Sequence, residues 1–338
     1  MELSTVWFVL IAVLFTGYFV LEGFDFGVGM LLPVLGRDER ERRVLINTIG
    51  PVWDGNEVWV LTAGGAMFAA FPEWYASLFS GFYLALLAIL AALIVRGVAF
   101  EYRGKRSSPA WRAGWDRAIV AGSLLPALLW GVAFANIVRG VRLDANHEYV
   151  GTFWQLLNPY ALLGGLTTLA LFLTHGAIFL ALKTTGDVRQ RANAIAGRAG
   201  LAAAALAVAF LAWTLGIRAS AAAVVLAVLA AVALVGGLVA NRVRREGWAF
   251  LGTAAAIGLA VLALFAALYP DVLPSTIADA NSLTVDNASS TPYTLKIMTG
   301  VALVFTPIVL VYQGWTYWVF RKRIGVADIP VEPADAAH

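Results

Sequence analysis

The sequence predicts an all-α polytopic membrane protein of about nine transmembrane helices, and three observations predict it. Hydrophobic residues make up 60% of the chain and charged residues 13%, with a mean hydropathy of +0.78, whereas a soluble domain carries about 25% charged residues. Apolar stretches recur at lengths that let a helix cross a hydrocarbon core of ~30 Å. Lys and Arg fall in alternate loops, as they do when one side of a membrane retains them.

The spans follow in order. The first, roughly 6–33, carries Glu22 and Asp25 in GYFVLEGFDFGVGM. It opens with Met-Glu rather than a basic region, is too long for a signal-peptide core and has no small-residue cleavage site, so it reads as a retained helix. The second, 46–70, carries Asp54 and Glu57 in GPVWDGNEVWVLTAGG, and the third, 74–97, ends near Arg96. The fourth, 117–138, begins just after Asp116, and the fifth, 159–182, contains His175. The sixth and seventh, 199–217 and 219–240, are Ala- and Val-rich and read as packing scaffold; 248–269 and 295–319 complete the set. Trp74, Tyr75, Trp315, Tyr317 and Trp318 fall at expected helix ends and read as interfacial anchors.

With the N-terminus outside, twenty of the 24 Lys and Arg fall inside, leaving only Arg139, Arg142, Arg218 and Lys296 outside. The C-terminus then lies in the cytoplasm. Merging the sixth and seventh spans would put Arg242, Arg244 and Arg245 on the wrong side. Residues 1–323 read as one integral helical domain and 324–338 as a frayed, solvent-exposed cytoplasmic tail. The loops 139–158 and 270–294 read as ordered turns against the helix ends. The eight helices after the first suggest two four-helix groups. The net charge of +3 follows from topology and does not point to nucleic acid, and the absence of cysteine excludes disulfides, thiolate-bound clusters and cysteine catalysis.

Glu22, Asp25, Asp54 and Glu57 are the informative residues. An acid at the bilayer centre costs ~2.5–3.5 kcal/mol even on the lenient scale, so each needs a reason to be there. Counting ~1.5 Å per residue from the inner helix ends places Asp25 and Asp54 at about 13–14 Å and Glu22 and Glu57 at about 18 Å. The four therefore suggest one buried ladder between antiparallel neighbours. Like charges crowded in low dielectric cannot all be ionised together, so such a ladder holds and passes protons. The alternative is that these acids cap helix breaks or pair with Arg96 for structure alone. Gly23, Gly27, Gly29, Gly55, Gly64 and Gly65 allow close helix approach beside them. A secondary transporter would use such acids at a midplane site, but the sixth and seventh spans offer no counterpart of the acid-bearing pair.

Haem ligation is poorly served. Only His147, His175 and His338 exist, and His175 alone falls within a span, where it reads as a hydrogen-bonded packing residue. Met30, Met67 and Met298 lack partners for axial ligation.

The blocks GFDFGVG, ERRVLINTIGPVWDGNEVWVLTAGGAMFAAFPEWY, LIVRGVAFEYRGK, WRAGWDRAIVAGS, FWQLLNPYALLGG and ADANSLTVDNASSTPYTLKIMT together resemble subunit II of the cytochrome bd-type quinol oxidases, a family that includes cyanide-insensitive forms. The resemblance covers nearly the whole chain, most strongly before Lys183. It implies a bacterial cytoplasmic-membrane complex that oxidises quinol and reduces dioxygen to water, building a proton gradient without pumping. Low-spin haem b, high-spin haem b and haem d are implied to sit in a partner, subunit I, with no redox centre on this chain. The implied fold is two four-helix bundles and one extra helix, paired with subunit I as a pseudo-symmetric heterodimer in membrane lipid. Menaquinone and ubiquinone stay open as the quinone, as does a small single-helix accessory subunit.

Carried onto this sequence, the resemblance implies Asp25 and Asp54 for cytoplasmic proton uptake, with Glu22 and Glu57 beside them. Relatives carry Asp at the position of Glu22 and can carry Gln at that of Glu57, which makes Glu57 the least obligatory. Arg96 and Asp116 are implied as structural ion-pairing residues near the path. Asp25 and Arg96 are each costly near the inner ends of their spans, so an ion pair between them, direct or through water, is expected. Trp53 and Trp59 flank the acids and suit contact with a quinone ring or the partner, or interior packing. A purely structural or assembly role without proton traffic remains the alternative.

Overall fold

The computed structural model describes residues 2–330; His338 and the end of the expected tail lie outside them. The first helix, α1 (Leu3–Leu35), is long and apolar, and the amide of Gly36 closes it on the Leu32 carbonyl. Asp38 then caps α2 (Glu39–Ile49) by accepting from the Glu41 amide at 2.8 Å. This helix is polar on one side and buries Val44, Leu45 and Ile49 on the other. Pro51 has no N–H for the helical ladder, and α3 (Trp53–Ala70) starts afresh two residues later. The single span expected over 46–70 is therefore broken.

Phe71 and Pro72 introduce α4 (Pro72–Gly81), which leads through Phe82 into α5 (Tyr83–Tyr102). Trp74, expected as an interfacial anchor, is instead buried and packs against Phe8 and Phe71. The remaining helices are α6 (Pro109–Arg139), α7 (Pro159–Lys183), α8 (Gly186–Ile217), α9 (Ala221–Arg242), α10 (Glu246–Leu268) and α11 (Pro292–Val319). Among the described residues, eight helices are long and apolar enough to cross a membrane: α1, α5 to α10 and α11. Asp54, Asn56 and Glu57 make α3 more polar than these eight, which accounts for the difference from about nine.

Helices α7 to α10 form a closed ring, each packed on the next and α10 back on α7. Helices α1, α3, α5 and α6 form the other group, with α1 at the centre of the molecule against α3, α6, α7 and α10. The helix outside both groups is α11, which packs on α1 and α3 and buries only Leu295 of its own residues. The sequence had suggested the first helix for that place, but the aromatic and glycine-rich surface of α1 is what both groups pack around.

Loops join the helix ends away from α2. A short antiparallel pair, β1 (Asp271–Leu273) and β2 (Leu283–Thr284), is tied to the 140–158 loop by Ser275 Oγ and Asn281 Nδ2, which both donate to the Leu143 carbonyl at 2.9 and 3.0 Å. At the opposite end, Arg40 donates to the carbonyls of Val326 (2.6 Å) and Ile329 (3.0 Å), and Ile329 is buried. Of the segment expected to fray, the described residues 324–330 are thus held against the body by Val326 and Ile329.

Close approach of α1 and α7 depends on two glycines. A Cβ on Gly27 would lie 2.1 Å from the Phe172 carbonyl oxygen, and one on Gly176 would lie 2.5 Å from the backbone of Gly27. Gly55, Gly64 and Gly65 do not share this role, since nothing in the chain lies within 4 Å of where their Cβ atoms would be. Gly176→Val should force the helices apart and cost ~1–3 kcal/mol or more. The unfolding midpoint in detergent should fall clearly, while Gly247→Ala, at an open position, should leave it unchanged.

Candidate functional site

Glu22 and Asp25 lie on one face of α1, three residues apart, and both are fully buried. Arg96 of α5 is also fully buried and ion-pairs with Glu22. Its guanidinium lies 4.8 Å from the Phe26 ring centroid and 5.3 Å from that of Phe100, so its flat faces meet aromatic rings. Gly122 of α6 makes room for this arginine: a Cβ there would lie 2.7 Å from Arg96 Cβ.

The expected Asp25–Arg96 ion pair is not formed directly. Arg96 is committed to Glu22, one turn away on α1, and Asp25 Oδ2 instead accepts from Asn56 Nδ2 of α3 at 2.7 Å. Asn56 Oδ1 accepts in turn from Tyr317 Oη at 2.7 Å and Gln313 Nε2 at 3.3 Å. Trp59 Nε1 donates to Gln313 Oε1 at 2.9 Å. The peripheral helix α11 thereby closes the cluster with two polar side chains. Sequence reasoning missed Asn56, Gln313 and the site role of Tyr317 because it searched for charge; the usable signal was an uncharged amide in an apolar helix, itself costly without a partner.

The four acids do not form one ladder. Asp54 is exposed, and its Oδ1 accepts from the adjacent Gly55 amide at 2.8 Å. The break at Pro51 places it in the first turn of a new helix, where a carboxylate suits the helix dipole, and the depth count along one continuous helix does not apply. Asp54 precedes Asn56 by two residues, about 200° around α3, so when Asn56 faces α1 Asp54 faces away. Glu57 is half-buried and within electrostatic reach of Glu22, Arg96 and Asp54. The gathered set is therefore Glu22, Asp25, Glu57, Arg96 and Asn56.

Several buried polar atoms here have no hydrogen-bond partner among the described residues: Glu22 Oε2, Asp25 Oδ1, Arg96 Nε and Nη2, and Ser123 Oγ. Buried polar groups are normally satisfied, by protein or by ordered water. The cluster thus has spare donors and acceptors, and more acids than cations, inside a helix bundle.

A second charged network closes the same end of the bundle nearer its surface. Asp116 accepts from Arg103 Nε at 2.5 Å and Arg42 Nη1 at 3.1 Å, and Arg103 also holds Glu39 at 2.8 Å. Arg191 of α8 pairs with Glu41 at 2.7 Å. Asp116 therefore ties α2 to α6 and the turn after α5, apart from Arg96. Trp53 lies against Phe100 with ring centroids 5.2 Å apart, and Trp59 covers Gly17; each is half-buried.

His175 does not suit a haem. Its Nδ1 is 2.7 Å from Thr253 Oγ1 and its Nε2 is 3.2 Å from the Val20 carbonyl, and the buried ring stacks on Phe250 at 4.7 Å. Both nitrogens are engaged, which leaves none for iron. His147 Nδ1 bonds the Asn281 carbonyl in the loop region, and Met30 and Met67 are buried in the apolar core. These side chains fit packing roles rather than axial ligation.

A family model described as cytochrome bd terminal oxidase subunit II matches residues 3–320. The cytochrome bd ubiquinol oxidase subunit 2 of Bacillus subtilis (strain 168) is 44% identical over 328 residues, 96% of this chain and 97% of its own. The cytochrome bd-I ubiquinol oxidase subunit 2 of Escherichia coli (strain K12) is 37% identical over 365 residues, 97% of this chain and 96% of its own. In fold, the chain is similar to one from the bd oxidase of Geobacillus thermodenitrificans, with a TM-score of 0.76 at 17% identity, covering 95% of this chain and 100% of that one. With the match running from the first helix to the end of the last, the chain belongs to the cytochrome bd terminal oxidase subunit II family.

Proposed function

We propose that this chain works with a haem-bearing subunit I in the bacterial cytoplasmic membrane, in a complex that oxidises quinol and reduces dioxygen to water. Its part is to stabilise that partner and to take up protons from the cytoplasm. The observation that carries the reading is the cluster of Glu22, Asp25, Glu57, Arg96 and Asn56. It holds more carboxylates than cations, with unpartnered polar atoms, inside helices where each charge is costly. The retention of Lys and Arg at the α2 end supports placing that end in the cytoplasm, with the N-terminus outside. Exposed Asp54 stands as the entry residue on α3, and half-buried Glu57 as the relay toward Asp25 and Glu22. Quinol protons would be released on the other side, so a gradient forms without pumping.

Haem b, in low-spin and high-spin forms, and haem d are assigned to subunit I, since His175, the one histidine in a helix among the described residues, is engaged by Thr253 and Val20. The half-buried rings of Trp53 and Trp59 suit contact with a quinone, menaquinone or ubiquinone, or with the partner. A small accessory subunit is compatible with the exposed apolar face of α11, and lipid covers what remains.

The competing reading is assembly alone, favoured by the ion pair of Arg96 with Glu22 and the hydrogen bond that Asp25 Oδ2 accepts from Asn56. Variants separate the two. Asp25→Asn in the complex should slow quinol-driven oxygen consumption several-fold or more while the haem spectrum and yield stay near parental; a parallel loss of haem would favour assembly alone. Asp54→Asn should act in the same direction, and Glu57→Gln more mildly; parental turnover of Asp54→Asn from pH 6 to 8 would remove it from the path.

Glu22→Gln leaves Arg96 buried without its counter-charge, a loss of ~3–5 kcal/mol, and should reduce complex yield and haem content together. Purified alone in mild detergent, the chain should show no haem bands in its reduced-minus-oxidised spectrum, whereas the complex should show b- and d-type bands. Stoichiometric haem on the isolated chain, lost in His175→Ala, would overturn the assignment of haem to the partner.

A further inference from the structure

At the end of the bundle opposite α2, a cavity of about 390 Å³ opens between the C-terminus of α6 and the N-terminus of α7. Its polar lining includes Arg139, Arg142, Tyr149, Trp154, Gln155 and Asn158, and it contains no Asp or Glu. Only four of the chain's 24 Lys and Arg lie at this end, and two of them line this one cavity. Arg218, at the same end, is matched by Asp271 at 2.8 Å. Arg139 and Arg142 have no carboxylate partner among the described residues.

The acceptors in the cavity wall are largely used internally. Asn136 Oδ1 accepts from Asn158 Nδ2 at 2.8 Å, Asn158 Oδ1 caps the Ala161 amide at 3.0 Å, and Gln155 Oε1 accepts from the Thr152 amide at 3.3 Å. The capacity left is two guanidinium groups, the donors suited to a phosphate. The position identifies the source of the phosphate. Arg139 is the last residue of a membrane-length helix, and Trp154 stands 75% exposed at the rim. This is the level at which tryptophan and arginine meet lipid headgroups.

We propose that this cavity binds the phosphodiester headgroup of an anionic phospholipid through Arg139 and Arg142, with Trp154 lying along the glycerol region. The site is remote from the acid cluster and does not depend on the proton-uptake reading.

The test uses the assembled complex, delipidated in mild detergent and titrated with phosphatidylglycerol, phosphatidylcholine or inorganic phosphate, with bound ligand followed by native mass spectrometry. Phosphatidylglycerol should be retained by the parent complex and bind roughly ten-fold more weakly to the R139Q/R142Q double variant, with haem spectrum and oxygen consumption unchanged. Equal retention by parent and variant, or equal binding of phosphatidylcholine, would overturn the proposal. Displacement of the lipid by millimolar inorganic phosphate would identify free phosphate as the ligand and overturn the lipid assignment. If the double variant fails to assemble, R139Q and R142Q singly make the same comparison at exposed positions.

Discussion

The ion pair between Arg96 and Glu22 is the interaction on which the arrangement of the first helix group depends. A guanidinium removed from water is tolerable only beside a carboxylate and with its faces covered. Both conditions restrict the backbone. Glu22 brings α1 to α5, Phe26 and Phe100 cover the guanidinium, and Gly122 lets α6 close over the arginine's stem. Once α1 is held there, Asp25 on its next turn faces α3 rather than α5. That is why a second buried acid meets an amide instead of sharing the arginine.

The chain handles its buried polar groups in two layers. Deep in the bundle, charge is matched sparingly: the one guanidinium pairs with Glu22, and Asp25 takes a hydrogen bond from Asn56 in its place. Nearer the α2 end, charges are matched generously, with Asp116, Glu39 and Glu41 distributed over Arg42, Arg103, Arg112 and Arg191. A saturated network resists rearrangement and suits a rigid collar, whereas an undersaturated one retains free donors and acceptors.

Helix α11 shows how little packing a helix needs in order to complete a buried polar cluster. It buries almost none of its own surface, yet Gln313 and Tyr317 complete the hydrogen bonding of Asn56 and Trp59. Its placement follows from those polar contacts and from Trp7, whose indole donates to Thr299 Oγ1 at 3.1 Å. Helices in lipid gain little from burying apolar surface against one another, so hydrogen bonds weigh more in seating them.

The membrane character, the long apolar helices, the unequal distribution of basic residues and the position of Glu22 and Asp25 on one face were all legible in the chain, because each depends on composition or on the 3.6-residue period alone. The start of the second expected span was not legible in the hydropathy, since Pro51 breaks it and the depth of Asp54 had been counted through the break. Which acid takes Arg96 was not legible, because Glu22 and Asp25 differ by one turn and the choice depends on how α1 is rotated against α5. The same holds for Asn56 and Tyr317, separated by 261 residues and joined by one hydrogen bond. Local sequence sets what a helix exposes on each side, but the rotation and translation of helices come from pairwise packing, here through Gly27 against Gly176 and Gly122 against Arg96. Those contacts exist only once the whole bundle is assembled.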